Sequence, residues 1–311
     1  MSAVVETQNL TKRYHDKLAV NALNLTINEG EIFGFLGPNG AGKTTTILML
    51  LGLTEATSGR ASVCGFDPTH ESLEVKRRVG YLPENPGFYE DMSADENLLY
   101  MARLNRIPDD EARRRTSEVL DQVGLSEDGR RLVREFSRGM KQRLGIAEVL
   151  VKKPRAVILD EPTLGIDPDG AIRILELIKN LNRERNLTVM LSSHQLQQVQ
   201  EICSRVGIIV KGRLIVQGKM DELGRAILKE RQWNFLLEVG GAGANGLESD
   251  LRAINGVDEI EKRGQGFFLR CTKDVRPELV SLLARKNLPL LQLRSEDPTL
   301  EEIYLKYFRE A

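Results

Sequence analysis

Gly37, Pro38, Asn39, Gly40, Ala41, Gly42, Lys43 and Thr44 fit the pattern G-x-x-x-x-G-K-[ST]. Each residue type in it answers to phosphate chemistry. Glycines let backbone N–H groups curl around an anion, and a helix opening after them adds the positive end of its dipole. The Lys43 ammonium is a mobile point charge for β and γ phosphates, and the Thr44 hydroxyl can ligate Mg²⁺. The pattern needs a strand before it and a helix after it. The buried run Ile32, Phe33, Gly34, Phe35, Leu36 supplies the first, and residues 44–52, with Ile47, Leu48, Leu50 and Leu51 at helical spacing, supply the second.

A second pair of residues completes a hydrolytic constellation. Asp160 and Glu161 follow the apolar run Ala156, Val157, Ile158, Leu159. Alone, such a pair is more often a helix cap or a turn. Beside a phosphate loop, a carboxylate at the end of a parallel strand can hold Mg²⁺, directly or through water. Its neighbour points elsewhere and can polarise an attacking water.

These residues need a sheet to position them. Residues 4–10 and 18–27 read as strands ahead of the glycine loop. Residues 156–160 and 188–192 are continuous apolar runs of strand length, as expected of a parallel sheet covered on both faces. A hairpin spans 206–210 and 213–216, with Lys211 and Gly212 as its two-residue turn. Strand, glycine loop and helix open a doubly wound α/β domain. Between its core strands lies a mostly helical insertion over about residues 88–150. Ser93 and Glu96 form a capping box there, and residues 109–123 carry a charged, solvated face opposite Val119, Leu120 and Val123. Residues 139–151 read as a further helix with Met140, Leu144, Ala147 and Val151 on one stripe.

From about residue 225 the character changes. The expected elements are a strand at 234–239, a flexible loop at 240–246, a helix at 247–254, a hairpin of 257–262 with 267–271, a helix at 277–286, a strand at 290–294 and a last helix at 299–308. The order β-α-β-β-α-β-α fits a small α+β, ferredoxin-like unit with an extra helix. The domains are therefore expected at 1–224 and 225–311, consistent with a length of 311 residues.

Bulk composition narrows the function classes. Charged residues make up 29%, but the net charge is only -1. That balance argues against coating nucleic acid and against a polybasic membrane tether. The three cysteines, Cys64, Cys203 and Cys271, show no metal-ligand or disulfide spacing and are expected as reduced thiols. Residues 1–10 lack the apolar core of a signal peptide. No stretch approaches the roughly 18 apolar residues of a membrane-crossing helix, so work at a membrane would go through a docked partner.

The phosphate loop, then Phe136-Ser137-Arg138-Gly139-Met140-Lys141-Gln142-Arg143, then Ile158-Leu159-Asp160-Glu161-Pro162, then Leu164-Gly165-Ile166-Asp167-Pro168, then Ser192-Ser193-His194, resembles the ATP-binding cassette (ABC) ATPases in order and spacing. The resemblance covers about residues 1–220. It implies a P-loop NTPase core with an antiparallel β subdomain and a helical insertion, binding ATP and Mg²⁺. At matching positions it implies that Tyr14 stacks on adenine and that the loop from Gly37 to Thr44, with Thr45, holds the phosphates. Thr44, Asp160 and Glu84 serve the metal, Glu161 is the general base, and His194 and Lys43 act at the γ-phosphate. Ser137, Gly139 and Met140 form the signature that meets the nucleotide of a second copy, and Asp167 speaks across that dimer. The physics agrees for Ser137 and Gly139, which lie at a helix N-terminus, where donors and dipole favour an anion.

Two departures stand out. The usual signature is Leu-Ser-Gly-Gly-Gln. Arg138 replaces its first glycine and either supplies compensating charge or faces solvent. Met140 replaces the glutamine and cannot donate a hydrogen bond. In Gly80-Tyr81-Leu82-Pro83-Glu84 the family usually has glutamine at the last position; Glu84 still offers an oxygen to Mg²⁺ or water. Both departures, and the C-terminal unit, resemble the branch serving six-helix export permeases. The resemblance thus implies the ATP-hydrolysing subunit of an exporter, a homodimer held at the cytoplasmic face of the membrane by a separate permease, with no nucleic-acid partner. The rival is a soluble cassette acting on DNA or ribosomes. Such relatives tend to carry coiled coils, zinc modules or two cassettes, none of which is present. Nothing from Arg225 onward reads as a ligand site, so dimer bracing is the simpler role for the tail.

Overall fold

The computed structural model describes residues 2–219, 233–240, 246–264 and 266–295. The chain falls into two compact units, Met1–Gly218 and Lys219–Glu310. The domain limit expected at 224/225 lies outside the described residues, as do positions 241–245 of the expected loop and the last helix expected at 299–308.

The first unit holds two sheets. One is antiparallel, built on β1 (Ala3–Tyr14), with β2 (Lys17–Leu23), β3 (Thr26–Asn28) and β5 (Ser58–Val63) all paired to it. The single strand expected over 18–27 is in fact two. Its outer part, β2, pairs with the far half of β1 (Leu10↔Leu23, Tyr14↔Lys17), and β3 pairs with the near half (Glu6↔Thr26). Asn24 causes the break: its side chain accepts from the Asn9 amide at 2.8 Å and donates to the Ala22 carbonyl at 3.1 Å, taking the place of ladder bonds.

The other sheet carries β4 (Ile32–Leu36), β6 (Val79–Leu82), β7 (Ala156–Asp160), β8 (Thr188–Ser193), β9 (Arg205–Val210) and β10 (Arg213–Lys219), in the order β10-β9-β4-β8-β7-β6. All pairs from β9 to β6 are parallel. β10 returns beside β9 through Lys211 and Gly212, whose φ values of 48° and 79° are those of a type I′ turn. β4, β7 and β8 are buried along their whole length, which is why each reads as an unbroken apolar run. Phe33 and Phe35 are fully buried, with Ile47 and Leu50 of α1 (Lys43–Leu50) in the same core. Each such side chain contributes about 1.5–3 kcal/mol of transfer free energy.

Helices fill the connections. α2 (Ser72–Arg78) precedes β6. α3 (Ala94–Leu104), α4 (Asp109–Gln122) and α5 (Arg138–Leu150) form the insertion, and α6 (Pro168–Arg185) and α7 (Leu196–Ile202) flank β8. The capping box is present: Ser93 accepts from the Glu96 amide, and Glu96 reaches back to the Ser93 amide. α6 was not anticipated, although its signals were available. Asp167 caps it, Pro168 opens it, and Ala171, Ile174, Leu175, Ile178 and Leu181 are buried at helical spacing.

The second unit contains β11 (Trp233–Val239), α8 (Leu247–Arg252), β12 (Val257–Arg263), β13 (Gly266–Cys271), α9 (Arg276–Arg285) and β14 (Leu290–Ser295). Its sheet is wholly antiparallel, in the order β12-β13-β11-β14. Phe235, Leu237, Phe267 and Leu269 meet Leu251, Leu279 and Leu283 in a separate core. The elements follow the expected β-α-β-β-α-β order through residue 295.

All three cysteines are free and buried, and burial pushes the Cys203 and Cys271 thiols well above their ordinary range. Among the described residues, no helix is long and apolar enough to cross a membrane.

Candidate active site

The site forms at the carboxyl ends of β4, β7 and β8, where an open α/β sheet offers its crevice. The chain leaves β4 into the glycine loop and enters α1 through Gly42. Gly42 has φ +107°, and a β-carbon there would stand 2.6 Å from the Ala19 carbonyl oxygen. The loop is tied on its other side as well: the Gly212 amide donates to the Ala41 carbonyl at 2.8 Å, and the Asn21 amide donates to the Gly212 carbonyl at 2.8 Å. The β9–β10 turn thus pins the phosphate loop to the antiparallel sheet.

Lys43 is 6% exposed. Its ammonium donates to the Gly37 carbonyl at 2.7 Å and lies 3.3 Å from Glu161 Oε1. Asp160 is 3% exposed and accepts from the Thr44 hydroxyl at 3.1 Å and from the Ser192 hydroxyl. Glu161 is 7% exposed, and its second oxygen is 2.9 Å from His194 Nδ1. Two adjacent carboxylates therefore face different partners. The backbone explains how: Glu161 has φ 49°, a left-handed conformation costing about 1–3 kcal/mol in a residue with a β-carbon. Its amide donates to the Ser192 carbonyl at 3.1 Å, which holds the turn.

A cavity of about 580 Å³ opens over these groups. Its wall takes in Pro38, Asn39, Gly40, Gly42, Lys43, Thr44 and Thr45 from the glycine loop and α1. Asp160, Glu161, Glu84 and Tyr14 line it as well. Tyr14 is 43% exposed, with the Lys12 ammonium 4.9 Å from its ring centre. Burial, with Asp160 and Glu84 nearby, pushes the Tyr81 phenol up to about 12. Lys17 and Lys211 also line the cavity. Sequence reasoning assigned neither a role in binding, because one is merely the start of a strand and the other a turn residue. Only the fold brings them to the glycine loop.

Thr44, Asp160 and Glu84 present only oxygen donors to this cavity, a set that suits a hard cation such as Mg²⁺. Among the described residues, no group of three or more His, Cys, Asp or Glu forms a metal cage.

Ser137, Gly139, Met140 and Asp167, all described, are not part of the cavity wall. Ser137 caps α5, accepting from the Met140 amide at 3.2 Å, and its own O–H proton remains available to an incoming oxygen. Asp167 caps α6, accepting from the Gly170 amide at 3.0 Å. Arg138 is exposed, and its guanidinium lies against Gly165 at the surface.

Residues 20–164 match the family model described as ABC transporter. The bacitracin transport ATP-binding protein BcrA of Bacillus licheniformis is 45% identical over 72% of this chain and 72% of its own. The linearmycin resistance ATP-binding protein LnrL of Bacillus subtilis (strain 168) is 34% identical over 97% of each. A solved structure described as the ATP binding subunit of an ABC transporter superposes with a TM-score of 0.65 at 29% identity, covering 72% of this chain and 93% of that one.

Proposed function

This chain belongs to the ABC transporter family as an ATP-binding subunit and ATPase, and from that premise we propose that it powers an exporter by closing as a homodimer around two ATP molecules. The observation that carries the dimer is the separation just described. One set of anion-binding features lines the cavity, while Ser137 and Gly139 at the head of α5 stand outside its wall. A second copy related by a twofold axis would bring them together. The division of labour would follow residues 1–224 and 225–311, the first carrying the chemistry and the second, a ferredoxin-like accessory unit, bracing the pair.

In this reading Tyr14 stacks on adenine, and Lys17 and Lys211 add charge along the same wall. The glycine loop cradles the phosphates, and their charge draws the Lys43 ammonium off Glu161 Oε1. That frees a carboxylate oxygen to take the proton of a water attacking the γ-phosphorus. His194 keeps the other oxygen oriented and, with Lys43, offsets charge on the transferring phosphoryl group. Thr44, Asp160 and Glu84 would hold Mg²⁺, whose contribution when bound is to neutralise the β and γ oxygens. The Ser137 hydroxyl donates to the γ-phosphate of the partner's ATP.

Export is supported by the relatives, one named for bacitracin transport and one for linearmycin resistance. A permease partner then places the chain at the cytoplasmic face of a membrane, with Glu84 and the insertion between α3 and α5 passing on the motion. Those names favour this reading over a role on DNA or ribosomes. The decisive experiment is light scattering on the Glu161→Gln variant with ATP and Mg²⁺. A shift from monomer to dimer mass is expected. A mass fixed at monomer, also in the presence of the co-purified permease, would end the proposal.

A further inference from the structure

Arg138 opens α5, one residue after the capping Ser137, at the position where the family's usual sequence has glycine. A β-carbon built on Gly165 would stand 2.5, 2.6 and 3.1 Å from its Nη1, Cζ and Nε. The guanidinium plate therefore rests on the Gly165 backbone, in space that a side chain there would need. Gly165 has φ +68°, a second reason for glycine. Both residues are exposed, so the plate covers the loop at the protein surface. An adjacent contact runs the same way: Ile166 Cγ2 would be 3.8 Å from a β-carbon on Gly139 and 2.7 Å from one on Gly170, so Ile166 lies between α5 and α6.

Gly165 sits in a loop that is itself tied to the site. The Leu164 amide donates to the Glu161 carbonyl at 3.1 Å, the Ile166 amide donates to the Thr163 carbonyl at 3.3 Å, and Asp167 caps α6. A hydrogen-bonded run of backbone thus leads from Glu161 to the residue under the Arg138 plate.

We propose that Arg138 is a positioning residue: its guanidinium locks the signature turn to the loop 161–167. The surface offered to a partner's ATP and the carboxylate serving this chain's own ATP are thereby set as one body. The inference rests on the dimer reading above. Arginine suits the task because a planar, weakly hydrated group can lie flat on backbone where a lysine ammonium cannot.

The test uses the full-length chain and the variants Arg138→Ala, Arg138→Lys, Gly165→Ala and the double alanine variant. Turnover, KM, nucleotide affinity of the monomer, thermal midpoint and ATP-driven dimerisation in a Glu161→Gln background are measured. Arg138→Ala is expected to lower kcat on the order of tenfold to a hundredfold, the scale of misplaced reacting groups, with monomer affinity and thermal midpoint unchanged. Arg138→Lys should not restore it. Gly165→Ala should displace the plate and match the loss, and the double variant should be no worse than the worse single change. Multiplying losses in the double variant would overturn the proposal. So would rescue by lysine, which would mean the charge itself reaches phosphate, or a thermal midpoint of Arg138→Ala falling in step with its kcat; Gly165→Ala is read by kcat alone, because its φ of +68° strains any β-carbon. Failure of Glu161→Gln to dimerise with Arg138 intact would instead remove the dimer reading, and this proposal with it.

Discussion

Glu161 Oε2 lies 2.9 Å from His194 Nδ1, joining the residues that follow two neighbouring parallel strands, β7 and β8. Thirty-three positions apart in sequence, they meet because the register of the sheet pairs Asp160 with Ser192. Lys43 holds the other Glu161 oxygen, so the carboxylate is oriented from both sides.

Replacing Glu161 with glutamine should lower ATP turnover on the order of 10²-fold or more, the scale of losing a general base. ATP affinity should persist, because the glycine loop and Lys43 are untouched. Steady-state phosphate release and a fluorescent-nucleotide titration check the two halves separately. Turnover like that of the unaltered protein would remove Glu161 from the role.

Magnesium dependence follows from the oxygen set around Asp160. Thr44, Glu84 and Asp160 line the same cavity as the glycine loop, so Mg²⁺ should bind tightly only together with nucleotide, whose phosphates supply further oxygens. Chelation should abolish turnover while leaving the thermal midpoint of the nucleotide-free protein unchanged. Asp160→Asn should weaken the nucleotide-dependent Mg²⁺ affinity on the order of 10–100-fold, the scale of losing a group that supports a metal site. Calorimetric titration of Mg²⁺ with and without ATP measures it.

Gly42→Ala tests the loop geometry without touching a charged group. The new β-carbon meets a left-handed φ of 107° and the Ala19 carbonyl at 2.6 Å. Backbone strain of this kind costs about 1–2 kcal/mol, and the overlap adds to it. A lower thermal midpoint together with lost nucleotide binding is expected, and a variant that binds ATP normally would contradict the described loop.

Glu148 supplies a pH signature. Burial on α5 raises its carboxyl to about 7, against the opposing pull of Lys152, whose own proton affinity burial lowers. Between its ordinary value of 4.5 and about 7, the folded chain binds more protons here than the unfolded chain, so this group's contribution to stability falls as pH rises through that window. Glu148→Gln should flatten the slope. From pH 5 to pH 8 its stability relative to the unaltered protein should improve by roughly 1–3 kcal/mol, read from urea melts at each pH. An unchanged slope would show that Glu148 does not titrate there.

Much of this was legible in the chain itself because the signals are local. The glycine loop announces its residue types within eight positions, and β4, β7 and β8 declare themselves as apolar runs because both sheet faces are covered. The Ser93–Glu96 box and the Lys211–Gly212 turn are likewise set by neighbours in sequence. The break between β2 and β3 was not readable, since it depends on Asn24 reaching across to Asn9.

The sequence by itself determined which residue types suit a phosphate, a hard cation and an attacking water, and on which strands and helix they stand. Only the tertiary structure decided the company they keep. It placed Lys43 on Glu161, Ser192 on Asp160, Lys17 and Lys211 in the cavity wall, and the Arg138 plate on Gly165. The physical reason is that residue type and short-range spacing encode backbone geometry, whereas these contacts are made by sheet register and by packing between elements dozens of residues apart.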